Sequence, residues 1–345
     1  MPEEWCTLET PHVNSRTLPS RPVGRTALAV GVGVAAAGAV AALLNGWLAR
    51  RAEDRNLPIG RFITVNGIRL HYVDRGSGIP LVLLHGNGSM IEDFKSSGLL
   101  DRAARKYRVI AFDRPGFGHS DRPRDIVWTP QLQAQLIAAA LTEIGVSKPM
   151  ILGHSWGALV AVALALQYPR EVQALILASG YYFPRARADV VISSPLAMPV
   201  IGDVLSYTVS PVLSRLIWPL LLRKIFGPSS VPGKFAGFPE EMAVRPWQLR
   251  AAAAESAMMI PAAYRLRKRY QQLHMPVIIV AGDDDRFVES AQSRKLHRKL
   301  PGSVLRLIPA TGHMVHQTAT GEILSAVRTA ASYRRARLQA TPDNG

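Results

Sequence analysis

The chain has 345 residues, 48% of them hydrophobic and 19% charged, enough to bury a substantial core as one large domain or two medium ones. Its single cysteine, Cys6, excludes an intramolecular disulfide. No Cys/His grouping with metal-ligand spacing and no Gly-rich phosphate loop is visible, so neither a metal nor another cofactor is indicated. The formal charge of +16 comes from basic residues spread along the chain, which disfavours nucleic acid as a partner and suits an anionic membrane surface.

Residues 1–25 are polar and proline-bearing, and disorder is expected there. Residues 26–48 (TALAVGVGVAAAGAVAALLNGWL) carry no charge between Arg25 and Arg50. At about 1.5 Å per residue this stretch spans the roughly 30 Å hydrocarbon core of a bilayer. In lipid the backbone must pair internally, which forces a helix on a run rich in Gly, Ala and Val. Trp47 suits the interface. The expectation is a single-pass transmembrane anchor. A cleaved secretory signal is the runner-up, with small residues such as Ala41 and Ala42 to serve a peptidase. A buried core helix would need an amphipathic stripe that this segment lacks. Arg16, Arg21 and Arg25 on one side and Arg50, Arg51, Arg55 and Arg61 on the other leave the orientation nearly tied, leaning to a cytoplasmic C-terminal side. Residues 49–60 read as a linker.

From Arg61 the pattern becomes that of a folded domain. Residues 61–65 and 69–73 alternate around Asn66-Gly67, the signature of a β-hairpin. Short continuous apolar runs follow at 81–84, 109–112, 150–152, 172–177, 277–280 and 304–308, as expected of strands buried on both faces of a parallel sheet. Helical stretches at 131–144, 157–167 and 321–331 separate them, implying right-handed crossovers and a doubly wound α/β sheet. Residues 184–269 show no clear strand and are rich in Pro, Leu, Met and Trp, which reads as a helical lid inserted between the core segments 61–183 and 270–336. Residues 337–345 read as a disordered tail.

The chemistry concentrates at the ends of these runs. Gly153-His154-Ser155-Trp156-Gly157 is a G-x-S-x-G motif in the strand–turn–helix context that exposes a nucleophile. The glycines are needed because the turn is too tight for side chains beside it. A serine hydroxyl needs an adjacent base. His313, on the loop after the run 304–308, is the favoured candidate, with His316 as rival and His274 third. An orienting acid should follow the preceding strand, where Asp283, Asp284 and Asp285 are available. The loop His85-Gly86-Asn87-Gly88 can turn backbone N–H groups inward, so the Asn87 and Trp156 N–H groups are assigned to an oxyanion hole.

Together these residues resemble the α/β-hydrolase superfamily, particularly its esterase, C–C hydrolase and haloperoxidase-like branch, over about residues 60–335. The motifs His85-Gly86-Asn87-Gly88, Asp113-Arg114-Pro115-Gly116-Phe117-Gly118-His119-Ser120, Gly153–Gly157, Gly282-Asp283-Asp284-Asp285 and Gly312-His313 occur in family order. The resemblance implies a mostly parallel eight-stranded sheet flanked by helices, and it places the triad acid on Asp285 and the histidine on His313. It marks Asp113 as architectural. Dehalogenase and epoxide-hydrolase relatives carry Asp where this chain has Ser155, which argues against both activities. Asn87 and Trp156 resemble the halide-binding pair of dehalogenases, but beside a serine they fit an oxyanion hole.

The expected function is a serine hydrolase cleaving a carboxylic ester through an acyl-enzyme. Between Phe183 and His274 the lid carries 12 Lys/Arg against 5 Asp/Glu, interleaved with apolar clusters, which suggests a small hydrophobic or amphiphilic ester. C–C bond hydrolysis, acyl transfer and perhydrolysis on the same site are alternatives, as is a non-catalytic membrane-tethered binding protein.

Overall fold

A computed structural model describes residues 24–186, 190 and 195–340. The chain divides into two compact units, Met1–Val40 and Ala41–Gly345. In the first, the described residues are the beginning of helix α1 (Gly24–Arg55), whose Leu28, Val30, Val32, Val34 and Val40 side chains are exposed. The stretch Ala27–Arg55 is long and apolar enough to cross a membrane, a test that an N-terminal signal sequence also passes.

The second unit begins inside α1. The linker expected over 49–60 is instead helical as far as Arg55. The reason is packing: Ala49 and Ala52 are buried, and Glu53 pairs with the buried guanidinium of Arg245. The Asn56 side chain donates to the Ala52 carbonyl at 2.8 Å and closes the helix end. At the other terminus, the helix Thr320–Ala340 continues through 337–340, which the sequence suggested would begin a disordered tail. Residues 1–23 and 341–345 lie outside the described residues.

The sheet has eight strands: β1 (Arg61–Val65), β2 (Ile68–Arg75), β3 (Pro80–Leu84), β4 (Arg108–Phe112), β5 (Met150–His154), β6 (Ala174–Ala178), β7 (Val277–Gly282) and β8 (Val304–Ile308), in the order β1-β2-β4-β3-β5-β6-β7-β8. The β1–β2 hairpin turns at Asn66-Gly67, whose φ angles of 50° and 76° place both in the left-handed region such a turn demands. From β4 to β8 the pairings are parallel, and β2 runs against β4. The helices are α2 (Ile91–Ser96), α3 (Leu99–Ala104), α4 (Pro130–Glu143), α5 (Trp156–Gln167), α6 (Ile201–Tyr207), α7 (Ser210–Phe226), α8 (Glu240–Ala243), α9 (Pro246–Leu266), α10 (Ala291–Lys299), α11 (Val315–Thr318) and α12 (Thr320–Ala340).

Strand alternation sends Val82, Leu84, Ile110, Phe112 and Ile151 to one face, where α4 and α5 cover them. Leu81, Leu83, Val109, Ala111 and Met150 face the other way, against α3 and α12. The apolar runs are continuous because both faces are buried. Strand β8 is half-buried along its length because it is the sheet edge. The described part of the lid is helical, as expected, with α6 to α9 inserted between β6 and β7.

Asp113, just past β4, is an internal strut. It accepts hydrogen bonds from the backbone N–H groups of Ile91 (2.8 Å) and His119 (3.0 Å) and lies 2.7 Å from His71 Nδ1. Burial alone would raise its pKa, but the His71 hydrogen bond and charge hold it below the usual carboxylate range. Glu92 beside it is pushed up to about 7, first by burial and then by the Asp113 charge. A carboxyl raised in the folded state stabilises the fold at low pH and loses that contribution as pH climbs through its folded pKa. Glu92→Gln is therefore expected to gain about 2 kcal/mol of stability over the parent between pH 5 and pH 8, measured by urea unfolding at the two pH values.

Candidate active site

Four loops meet at the carboxyl ends of β3, β5, β7 and β8. The centre is the turn from β5 into α5. Ser155 sits there at φ 53° and ψ −116°, a left-handed conformation that a side chain adopts only under strain. The turn is held by the Ser155 N–H donating to the Ala178 carbonyl at 2.9 Å. A Cβ at Gly153 would collide with the Gly157 carbonyl, and one at Gly157 with the carbonyls of Leu84 and His85. Both neighbours must therefore be glycine for strand, helix and the loop after β3 to close around the serine.

Asp285 and His313 come from the next two loops. His313 Nδ1 lies 2.8 Å from Asp285 Oδ2. The other carboxylate oxygen, Oδ1, accepts the N–H groups of Phe287 and Val288, each at 2.8 Å. The carboxylate is buried and both its oxygens are engaged, so it accepts from Nδ1–H and the His313 proton sits on Nδ1 rather than Nε2. Of the three aspartates in the run, only Asp285 is buried; Asp283 is exposed and pairs with Arg294. Ser155 and His313 line one cavity of about 260 Å³ together with Asn87, Trp218, Leu222 and Met259.

The rival histidines are elsewhere. His274 is exposed near the amino ends of β7 and β8, the opposite edge of the sheet. His316 is wholly buried, 3.0 Å from Asp93 Oδ1, and packs against His154 in a tilted arrangement with ring centroids 4.3 Å apart. His154 in turn donates from Nε2 to the His313 carbonyl at 3.1 Å. Burial holds its pKa well below the usual value, reinforced by His316 and His313, so the ring is neutral. Asp93, His154 and His316 offer ligand atoms within 4.8 Å of one another and could accommodate a small cation. The Asp93 carboxylate, however, already accepts from Ser89 Oγ (2.9 Å) and Gln317 Nε2 (2.7 Å), so the group serves as a buried brace under the His313 loop.

The loop after β3 is shaped by a residue that pattern reading passed over. Arg114 is fully buried; its Nε donates to the His85 carbonyl at 2.8 Å and its Nη2 to the Gly86 carbonyl at 2.9 Å. Its backbone N–H donates to His85 Nε2 at 3.0 Å, so the neutral ring carries its proton on Nδ1 and donates to the Gly86 carbonyl at 2.8 Å. His85 is held at about 3 by burial and then by the Arg114 charge. The guanidinium is balanced by Glu255 of α9, equally buried, at 3.0 Å from Nη2 to Oε2 and by a shorter second contact. Glu255 is 141 residues away, and no local signal could have paired the two.

The Asn87 side chain donates to the Ala252 carbonyl (2.9 Å) and Ser256 Oγ (3.0 Å), which fastens this loop to α9. Its side-chain amide is thereby committed to the lid, while the residue also lines the cavity. Trp156 is the first residue of α5, so its N–H has no acceptor within the helix. Its indole is fully buried beneath the turn. Removing Glu255 would strand the Arg114 charge. Glu255→Ala is expected to lose about 3–5 kcal/mol of stability in urea unfolding.

Comparison with known proteins follows the same architecture. The family described as "alpha/beta hydrolase fold" matches residues 79–320. An uncharacterized hydrolase, YugF of Bacillus subtilis (strain 168), is 26% identical, covering 75% of this chain and 92% of its own. A 2-hydroxymuconate semialdehyde hydrolase of Pseudomonas sp. (strain CF600) is 34% identical over 39% of this chain and 48% of its own. Among solved structures, a thermophilic esterase from Thermogutta terrifontis superposes with a TM-score of 0.66 at 21% identity, covering 78% of this chain and 97% of that one.

Proposed function

The chain belongs to the α/β-hydrolase fold family and is a hydrolase, and from that premise we propose that it cleaves a lipophilic carboxylic ester by a Ser155–His313–Asp285 triad. The observation that carries this reading is the 2.8 Å contact between Asp285 and His313, with His313 and Ser155 on the wall of one cavity.

In the proposed reaction His313 Nε2 takes the Ser155 proton as Oγ attacks the ester carbonyl carbon. Asp285 holds Nδ1–H and steadies the imidazolium. The N–H groups of Asn87 and Trp156 donate to the oxyanion, each such donor contributing about 3 kcal/mol to the transition state. The ester C–O bond breaks, the alcohol leaves with the proton carried by His313, and water hydrolyses the acyl-enzyme by the same steps in reverse roles. The cavity wall is mostly apolar, with Ile217, Leu221, Leu222, Ile225, Phe235 and Phe238 supplied by the lid, which favours a hydrocarbon acyl or alkyl group. Residues 26–48 are proposed to tether the enzyme to a membrane as a single-pass anchor.

The relative named 2-hydroxymuconate semialdehyde hydrolase supports a second reading, hydrolysis of a C–C bond on the same residues. A non-catalytic binding protein would have no use for the Ser155 strain.

A fluorophosphonate probe is expected to label the detergent-solubilised protein at Ser155 and to leave Ser155→Ala unlabelled. Labelling that persists in Ser155→Ala, or fails in the folded parent, would remove the assignment. Asp285→Asn should lower kcat by about 10³–10⁴-fold with KM little changed, since the wrong imidazole tautomer impairs the chemical step. Across p-nitrophenyl esters, kcat/KM should rise from acetyl to octanoyl; a fall along the series would rule out the lipophilic substrate.

A further inference from the structure

Helices α6 and α7 of the lid meet at a bend of 68°. The inner side of α7 is spoken for: Ser214, Trp218, Leu221, Leu222 and Ile225 line the cavity that holds Ser155. The outer side carries Val209, Val212, Leu213, Leu216 and Leu220, all exposed, with Leu216 at 71% and Leu220 at 62%. Their spacing of three and four residues puts them on one stripe of the helix. The stripe runs on into Arg223 and Lys224, both exposed. Ile201 and Val204 of α6, and Val200 before it, extend the exposed apolar surface across the bend.

A soluble monomer seldom leaves so long an apolar stripe in water. Two features say what covers it. The first is continuity with α1. Asn45 is buried and donates from Nδ2 to the carbonyls of Tyr207 (2.9 Å) and Thr208 (3.0 Å), the residues at the α6–α7 bend. The part of α1 that belongs to the same compact unit as the lid, from Ala41 onward, is therefore hydrogen-bonded to the root of the exposed stripe, and Leu43, Leu44 and Trp47 around Asn45 are exposed too. The second is the cationic end. Arg223 and Lys224 terminate the stripe where a helix lying in the interface would place cations among anionic headgroups.

We propose that the outer face of α6–α7 is a docking surface for an anionic lipid bilayer, with the helix pair lying in the headgroup region beside residues 41–55 of α1. The helices lie on the bilayer and do not cross it. Helix α7 has 17 residues, short of the roughly 20 that a span needs, and its opposite side is engaged with the cavity. Docking places the lid between the lipid and the proposed nucleophile. The docked helix also touches the catalytic loop: the Ile225 carbonyl accepts the His313 N–H at 2.9 Å. The substrate class that fits is an ester whose acyl chain resides in the same bilayer. The docking surface rests on the membrane anchoring proposed above and not on the hydrolytic reaction, on which only the substrate class depends.

The test uses the full chain with Cys6→Ser, in vesicles of phosphatidylcholine and phosphatidylglycerol with brominated acyl chains. An environment-sensitive fluorophore is placed at Leu216→Cys, at Leu220→Cys, or at Tyr333→Cys as a control near the opposite edge of the sheet. The expected result is flotation with the vesicles and bromide quenching at positions 216 and 220 at least threefold stronger than at 333. Flotation with equal, weak quenching at all three positions would overturn the docking surface while leaving the anchor standing. Failure to float would overturn both. Self-quenching of the Leu216→Cys label without bromide quenching would seat a second copy on the face and overturn the bilayer assignment. Because the readout is optical, loss of the hydrolase reading would not alter it.

Discussion

The left-handed backbone of Ser155 is the constraint around which the molecule is arranged. A non-glycine residue at φ 53° and ψ −116° carries roughly 1–3 kcal/mol of strain, which persists only where the surroundings leave no other path. Here the surroundings are β5 and α5, which lie in the middle of the core. Each residue of β5 is buried, and α5 is buried from Trp156 to Leu166. The turn can be sharp because Gly153 and Gly157 let three backbones touch. The strain is borne by the core, and its product is a hydroxyl presented at the carboxyl edge of the sheet.

The remaining site is built as supports for that edge. Asp113 ties β4 to β2 and α2 from inside. Arg114, its neighbour in sequence, reaches the other way to hold the carbonyls of His85 and Gly86. The carbonyls point to the guanidinium, which fixes the path of the loop after β3. The His154–His316–Asp93 group braces the His313 loop from below. Two lid contacts close the arrangement: Glu255 neutralises Arg114, and the Ile225 carbonyl receives the His313 N–H. The lid is thus a structural partner of both the proposed oxyanion loop, through α9, and the proposed base, through α7.

Much of this was legible in the residues. All eight strands were visible as alternating or continuous apolar runs, because strand burial repeats at short range and the turns between strands carry Gly, Asn and Asp. Ser155, His313 and the Asp283–Asp285 run stood out because each lies just past an apolar run, and the resemblance to a known family singled out Asp285. Other features were not legible. The linker expected over 49–60 is helix to Arg55, since only packing of Ala49, Ala52 and Glu53 keeps the helix going. Asn45 looked like one more residue of an apolar segment, and nothing nearby marks it as a donor to carbonyls 162 and 163 residues later. Arg114 sat inside a recognisable motif without disclosing its buried partner.

Taken alone, the sequence determined what depends on neighbours along the chain: the hairpin at Asn66-Gly67, the sharp Gly153–Gly157 turn, the order of strands and helices, and an N-terminal run long enough to span lipid. These follow from backbone sterics and from hydrophobic period, both of which act over a few residues. Only the tertiary structure decided what neutralises a buried arginine, which of the three aspartates is buried against a histidine ring without appeal to a family pattern, and which side of α7 is left outside. Those outcomes turn on burial and on hydrogen bonds between segments more than a hundred residues apart, such as Asn45 with Tyr207 and Arg114 with Glu255. Such contacts exist only once the sheet has closed and water has been excluded from the groups that must then find one another.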